Sequence, residues 1–114
     1  MPIEYGDFDN PKKSAYSLER YQGSWEREYM EKLENDIFVK KWTKMHGISI
    51  PYITEAGHQR PYKPDFLVEN IDGSKELHEV KGGHLIQNED WKRKRQSAEN
   101  WCKSRGMKFV LISK

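Results

Sequence analysis

The dipeptide Asp72-Gly73 constrains the fold of this chain more than any other feature of its sequence. It lies between two segments of strand-like composition, residues 62–70 and residues 75–81. Two-residue loops of the Asp-Gly type favour a tight turn whose twist matches that of paired antiparallel strands. The sequence therefore predicts a β-hairpin, in which Pro64 opens the regular part of the first strand and Gly82-Gly83 ends the second.

A long helix is predicted before the hairpin. Apolar residues four apart favour a helix from Ser24 to about Lys44, with a soft boundary at Asn35-Asp36 and a stop at Gly47. The apolar stripe consists of Trp25, Tyr29, Leu33 and Ile37, and it is widened by Met30, Phe38 and Trp42.

Shorter elements complete the predicted fold. Alternation in residues 48–53 predicts a strand, and Pro51 places it at an edge or a bulge. Residues 88–105 predict a second helix, and residues 107–113 predict a strand with apolar residues on both faces, which indicates an internal position. The expected order is helix, three strands, helix, strand, in an α/β fold whose mixed sheet is flanked by helices.

Length and composition indicate one domain. The 114 residues match the usual size of a single domain, and the 12% aromatic content supports a small core. Residues 1–23 predict an extended N-terminal arm with a short helical turn near 17–21, and residues 24–114 predict the folded domain. We expect no membrane helix and no signal peptide, and the single cysteine, Cys102, favours a reducing, intracellular setting.

Charge is distributed unevenly along the chain. Residues 1–90 hold 12 Lys and Arg against 17 Asp and Glu, whereas residues 91–114 hold eight against Glu99 alone. A basic C-terminal quarter on an acidic body indicates a polyanionic partner such as DNA. The alternative is a solvated helix face with no partner. If DNA binds here, Lys92, Arg93 and Arg95 are the candidate contacts.

Three ionisable side chains are expected to converge on the hairpin. Asp65 lies early in its first strand, and Glu79 and Lys81, two residues apart, share one face of its second strand while Val80 faces the other way. Adjacent carboxylates repel each other unless a cation lies between them, and Mg²⁺ and Mn²⁺ accept oxygen ligands. A lysine can stabilise charge on a phosphate under attack. The set predicts metal-dependent phosphodiester hydrolysis, and the alternative is an ion-pair ladder across two strands.

A fourth acidic residue, Glu26, heads the apolar face of the first helix. It is followed on that face by Met30, Leu33 and Ile37. This position predicts that Glu26 points toward the same site. The alternative is a charge at the helix N-terminus with no further role. Glu19 and Glu28 compete for the same assignment.

These motifs together resemble the PD-(D/E)XK nuclease superfamily. The resemblance begins with Ser24-Trp25-Glu26, Pro64-Asp65 and Glu79-Val80-Lys81, and it implies a restriction-endonuclease-like core of a helix, three strands, a helix and a strand. Residues 23–33 are similar to the branch that holds TnsA-type transposon endonucleases and phage resolvases. The chain also resembles head-completion nucleases of T-even-type tailed phages, over segments 39–42, 50–52, 60–66, 91–92 and 105–109.

The resemblance implies a role for each matching residue. Asp65, Glu79 and the backbone carbonyl of Val80 would bind Mg²⁺ or Mn²⁺, and Glu26 would complete or extend that metal site. Lys81 would be the catalytic lysine. The four histidines show no ligand spacing and are expected to be non-catalytic.

We therefore expect a metal-dependent DNA endonuclease encoded by a phage, acting in DNA end processing, head completion or junction resolution. The alternative is a DNA-binding, packaging or neck module on the same fold with little or no activity. Expected partners are DNA, a second copy of the chain where both strands are cut, and phage structural or replication proteins, but no membrane. The expected location is the cytoplasm of the host cell, or the virion.

Overall fold

The structure, a computed structural model, describes residues 5–83 and 87–113. In chain order its elements are β1 (Tyr5–Asp9), β2 (Leu18–Gln22), α1 (Ser24–Asn35), β3 (Val39–Thr43), β4 (Ile50–Ile53), β5 (Gln59–Tyr62), β6 (Phe66–Asn70), β7 (Lys75–Lys81), α2 (Glu89–Lys103) and β8 (Lys108–Ser113). No helix within these two ranges is long and apolar enough to cross a membrane.

A four-stranded mixed sheet forms the centre of the fold, in the order β3-β6-β7-β8. Strand β6 is antiparallel to both β3 and β7, and β8 runs parallel to β7. The predicted hairpin is confirmed, but its loop has three residues, 71–73, rather than two, and Gly73 within it has a φ of 88°. Within the central sheet the predicted order of helix, three strands, helix and strand holds, with β3, β6 and β7 as the three strands and β4 and β5 inserted between β3 and β6. Helix α2 provides the long connection that parallel pairing requires.

The prediction that the first helix extends to about Lys44 is wrong. Helix α1 ends at Asn35, because the Asp36 carboxylate accepts the Phe38 backbone N–H at 2.9 Å and turns the chain into β3. A bulge between Val39 and Lys41 lets both Val39 and Trp42 point into the core. Of the residues that extended the predicted stripe beyond Asn35, Ile37 and Phe38 are exposed, and only Trp42, in β3, is buried.

Three further expectations differ from the structure. The short turn predicted near residue 20 is strand β2, which pairs with β1. The strand predicted at residues 48–53 pairs with β5 in a separate two-stranded sheet, and β3 takes its place in the central sheet. Among the residues that the structure describes, strand β8 lies at the edge of the central sheet rather than inside it.

Both faces of the central sheet are covered, which explains the apolar character of β8. Helix α1 covers one face through a cluster that includes Met30, Leu33 and Phe66, with Ile112 of β8 packed against it. Helix α2 and the β4–β5 sheet cover the other face through a second cluster, against which Phe109 of β8 packs. A strand can thus be apolar on both faces and still occupy an edge.

The N-terminal hairpin of β1 and β2 is tied to α1 and β3 by hydrogen bonds. The Glu34 carboxylate accepts the backbone N–H groups of Lys12 at 2.6 Å and Lys13 at 3.0 Å, and the Trp42 indole N–H at 2.8 Å. The Trp42 backbone N–H donates to the Lys13 carbonyl at 3.0 Å. Glu34 therefore joins three separate segments through one side chain.

We expect Glu34→Ala to destabilise the fold more than the same change at its exposed helix neighbour Glu31. The substitution removes an ionised acceptor from three donors, and hydrogen bonds to charged groups contribute about 1.5–3 kcal/mol each. The free energy of unfolding should fall by about 2–4 kcal/mol. Urea denaturation of both variants measures this difference, and equal values would contradict the role assigned to Glu34.

Candidate active site

The turn between β6 and β7 aligns the two predicted carboxylates. Phe66 pairs with His78 in the register, so Asp65 and Glu79 are the next residues along their strands. Asp65 Oδ2 accepts the Val80 backbone N–H at 2.9 Å, which fixes this carboxylate against β7. The predicted neighbourhood of Asp65 and Glu79 is present in the structure.

The two carboxylates share a site that is poor in compensating charge. Burial, followed by the charges of Glu79 and Glu26, raises the pKa of Asp65 to about 7. Burial also raises the pKa of Glu79, although a hydrogen bond from Tyr62 and the charge of Lys81 oppose this shift. Because burial and mutual repulsion disfavour the ionised forms of both carboxylates, a further cation would stabilise those forms.

Glu26 belongs to the same electrostatic cluster. It lies in the first turn of α1, and its charge raises the pKa values of both Asp65 and Glu79. Its Oε1 accepts the Gln22 backbone N–H at 2.9 Å and forms an ion pair with the Lys44 ammonium. Glu26 is thus held at the site by a neighbouring cation.

The two acids that competed with Glu26 lie elsewhere. Glu19 is fully buried, and it accepts the Ser14 hydroxyl at 2.5 Å and the Lys44 backbone N–H at 2.9 Å. It therefore fixes the backbone of Lys44 rather than joining the carboxylate cluster. Glu28 is exposed on α1.

Lys81 lies beside Glu79 on β7. Its ammonium is 4.5 Å from the ring centroid of Trp91, a buried residue in the first turns of α2. Cation–π contacts of this kind hold an ammonium over an aromatic ring. Helix α2 therefore supports the position of Lys81.

Two residues that contact the site were not among the candidates. Tyr62, buried at the end of β5, donates its hydroxyl hydrogen to Glu79 Oε1 at 2.7 Å. Lys44 contacts Glu26, from which it is 18 residues distant in sequence. Neither contact could be predicted from the spacing of residues in the sequence, because each one joins two elements that meet only through tertiary packing.

The donor set around Asp65 and Glu79 suits a hard divalent cation. The Glu79 carboxylate accepts the Tyr62 hydroxyl and the Asp65 backbone N–H, and the Asp65 carboxylate accepts the Val80 N–H. In an extended strand the N–H and C=O of one residue point to the same side, so the Val80 carbonyl faces the side of Asp65 as its N–H does. In the described residues no three His, Cys, Asp or Glu side chains form a metal-binding group. Mg²⁺ needs only one or two carboxylates, because it retains several waters.

The basic residues of α2 differ in whether they have a carboxylate partner. Arg93 forms an ion pair with Glu89 at 3.3 Å, and Arg95 forms one with Glu99 at 2.9 Å. Lys92 is exposed. Lys94, which was not a candidate, lies 5.5 Å from the Tyr52 ring centroid and 5.7 Å from that of Tyr62.

The described histidines have structural surroundings or lie in solvent. His78 lies on the face opposite Glu79, accepts the Tyr29 hydroxyl through Nδ1 at 2.5 Å and contacts Glu76 through Nε2 at 2.8 Å. His46 bridges two loops, and His58 is exposed. His84 lies outside the described residues.

Comparison with known protein families shows a match over most of the chain. Residues 36–114, more than half of the chain, match the family described as TnsA-like endonuclease N terminal. The matched range contains Asp65, Glu79 and Lys81 but begins after Glu26 and α1. No curated protein sequence matches the chain.

Proposed function

Because the chain belongs to the TnsA-like endonuclease N-terminal family, we propose that it is a metal-dependent endonuclease that hydrolyses phosphodiester bonds in DNA. The observation that carries this proposal is the pair formed by buried Glu79 and partly buried Asp65, with Lys81 beside it. A cation would relieve the repulsion between these carboxylates, and positive charge stabilises a phosphodiester under attack.

Asp65, Glu79 and the Val80 carbonyl would hold Mg²⁺ or Mn²⁺. Both ions prefer oxygen ligands, and all three groups supply oxygen. Glu26 would extend the site once its ion pair with Lys44 loosens. Bound there, the ion would act as a Lewis acid on the phosphate and favour ionisation of the attacking water.

Lys81 supplies the protein's own positive charge to the reaction. Its ammonium lies on the same face of β7 as Glu79 and is supported by the Trp91 ring. A cation fixed at that place stabilises the negative charge that develops on the phosphate oxygens without a cost of reorganisation. Lys81 is therefore the proposed catalytic residue, and Tyr62 and Lys44 are positioning residues.

Tyr62→Phe is expected to weaken Mn²⁺ binding by about 10-fold, because partners that orient metal ligands contribute about 10- to 100-fold in affinity. The change removes only the hydroxyl that holds Glu79 Oε1. Tyr52→Phe, the same deletion at the neighbouring buried tyrosine, is the matched control. Titration of Mn²⁺ followed by electron paramagnetic resonance measures both affinities, and an unchanged affinity in Tyr62→Phe would remove its positioning role.

The proposed activity is tested by incubating the protein with supercoiled, linear and branched DNA in Mg²⁺, in Mn²⁺ and in EDTA. Cleavage that requires the metal and disappears in Glu79→Gln would support the proposal. Salt-dependent DNA binding without cleavage in any metal would instead indicate the DNA-binding or packaging module.

The three DNA forms also separate the biological roles that we propose. A phage origin is supported by the likeness of the sequence to phage resolvases and head-completion nucleases, and it would place the protein in the host cytoplasm or in the virion. Preference for linear ends would favour end processing or head completion, and preference for branched DNA would favour junction resolution. Double-strand cuts would require a second copy of the chain, and phage structural or replication proteins are the other proposed partners.

A further inference from the structure

A groove opens directly beside Asp65. It has a volume of about 400 Å³ and lies between residues 44–48, which follow β3, and residues 63–65, which precede β6. This volume falls within the range of clefts that hold small ligands. Asp65 itself lines the groove, so whatever occupies it contacts the proposed metal site.

The two sides of the groove carry cations. Lys44 lies on one side and Lys63 on the other. Lys63 is exposed, and within the described ranges no carboxylate pairs with it. Lys44 is mostly buried, with 20% of its side chain exposed, and it contacts Glu26. A cluster of carboxylates would repel a phosphodiester, and Lys63 supplies opposing charge at the entrance, since Lys44 is already paired with Glu26.

The shape of the groove is fixed by His46. Its Nδ1 accepts the Ile48 backbone N–H at 2.9 Å, and its Nε2 is 2.7 Å from the Pro64 carbonyl, to which it donates. One side chain thus joins the two sides and holds the backbone next to Asp65. A preformed groove costs less to fill than one that must be ordered on binding.

The rim of the groove also has an apolar group. Met45 lines it and has 44% of its surface exposed. A flexible thioether can pack against a sugar or a base without selecting among bases. Cationic sides with an apolar rim match a nucleic acid strand, which has both phosphates and apolar faces.

We propose that this groove binds the backbone of the DNA strand next to the bond that is cut, and that Lys63 contacts the adjacent phosphate. This inference rests on the proposed function. It moves the closest strand contact away from Arg93 and Arg95, whose guanidinium groups already have carboxylate partners on α2.

A second basic cleft provides the matched control. It lies between α2 and β8, has a volume of about 500 Å³, and is lined by Arg95, Lys103 and Lys108. None of the four candidate site residues lines it. Lys103→Gln therefore removes one exposed cation from a basic surface without altering the groove at Asp65.

The experiment measures the dissociation constant of fluorescein-labelled duplex DNA by anisotropy, with Ca²⁺ in place of Mg²⁺ and over a series of KCl concentrations. Lys63→Gln should weaken binding about 5-fold for unrelated sequences and reduce the slope of log affinity against log salt by about one unit, as loss of one phosphate contact does. Lys63→Glu should weaken binding further. Lys103→Gln and Arg93→Gln should remain within about 2-fold of the wild type.

The possible outcomes are distinct. Wild-type affinity and slope in both Lys63 variants, or an equal loss in Lys103→Gln or Arg93→Gln, would overturn the groove assignment while DNA cleavage by the wild type still stood. Absence of both binding and cleavage in the wild type would overturn the proposed function itself. Melting temperatures of all variants check that each one folds.

Discussion

Asp65→Asn is expected to abolish cleavage and to raise the thermal stability of the metal-free protein. Asparagine keeps an acceptor for the Val80 N–H but loses the charge that would hold the metal. The rate should fall by about 1,000-fold or more, because a Lewis acid supplies several kcal/mol of transition-state stabilisation. In EDTA at pH 8 the melting temperature should rise by about 5 °C, since relief of about 1 kcal/mol of repulsion has that effect in a domain of this size.

The stability gain should depend on pH in a defined direction. The pKa of Asp65 is raised from 3.8 to about 7, so the folded protein binds a proton more tightly than the unfolded chain does. Stability of the wild type in EDTA should therefore fall as the pH rises from about 4 to about 7. Asp65→Asn should lose much of this dependence, whereas Glu69→Gln, at the far end of β6, should retain it.

Calorimetric melting in EDTA across this pH range measures the predicted change in stability, and a cleavage assay in Mg²⁺ measures the predicted loss of activity. Full cleavage by Asp65→Asn would exclude Asp65 as a metal ligand. A pH profile in the variant that equals that of the wild type would mean that the repulsion lies elsewhere.

Lys81→Met is expected to reduce the rate of cleavage by about 100-fold or more while leaving DNA binding and Mn²⁺ binding nearly unchanged. Methionine keeps an unbranched apolar side chain as far as Cε but removes the ammonium that lies over the Trp91 ring. A fixed group that acts in the transition state lowers kcat when it is lost and has little effect on the ground state.

Lys75→Met, at the exposed start of the same strand, is the matched control and should cut at the wild-type rate. Single-turnover cleavage with saturating protein separates the chemical step from binding. If Lys81→Met loses affinity and keeps its single-turnover rate, Lys81 binds the substrate and is not the catalytic lysine.

The sequence predicted the central part of the site because local rules control it. The Asp72-Gly73 turn predicted that β6 pairs with β7, and alternation along β7 placed Glu79 and Lys81 on one face. A two-residue loop at Asp72-Gly73 would set Asp65 opposite Val80, whereas the observed three-residue loop sets it opposite Glu79. Turn chemistry therefore predicted the pairing of the strands but not their exact register.

The parts that the sequence did not predict depend on packing between distant segments. Beyond Asn35 the apolar residues Ile37, Phe38 and Trp42 continued the spacing of a helix, although Ile37 and Phe38 are exposed and Trp42 belongs to β3. Tyr62 reaches Glu79 because β5 belongs to a second small sheet whose position relative to β7 is set by α2 and its aromatic contacts. No pattern within one segment carries that information.

The hydrogen bonds between the N-terminal hairpin and β3 also have a consequence for association between molecules. Strand β3 is an outer strand of the central sheet, and its unpaired side would be a template on which another chain could add a strand. The Lys13 carbonyl accepts a hydrogen bond from the Trp42 backbone N–H, and the Glu19 carboxylate accepts one from the Lys44 backbone N–H just beyond the strand. The exposed side chains of Lys40 and Lys41 add repulsion along the same border. Detachment of the hairpin would free these amides, so this border is where aggregation of a partly unfolded molecule would begin.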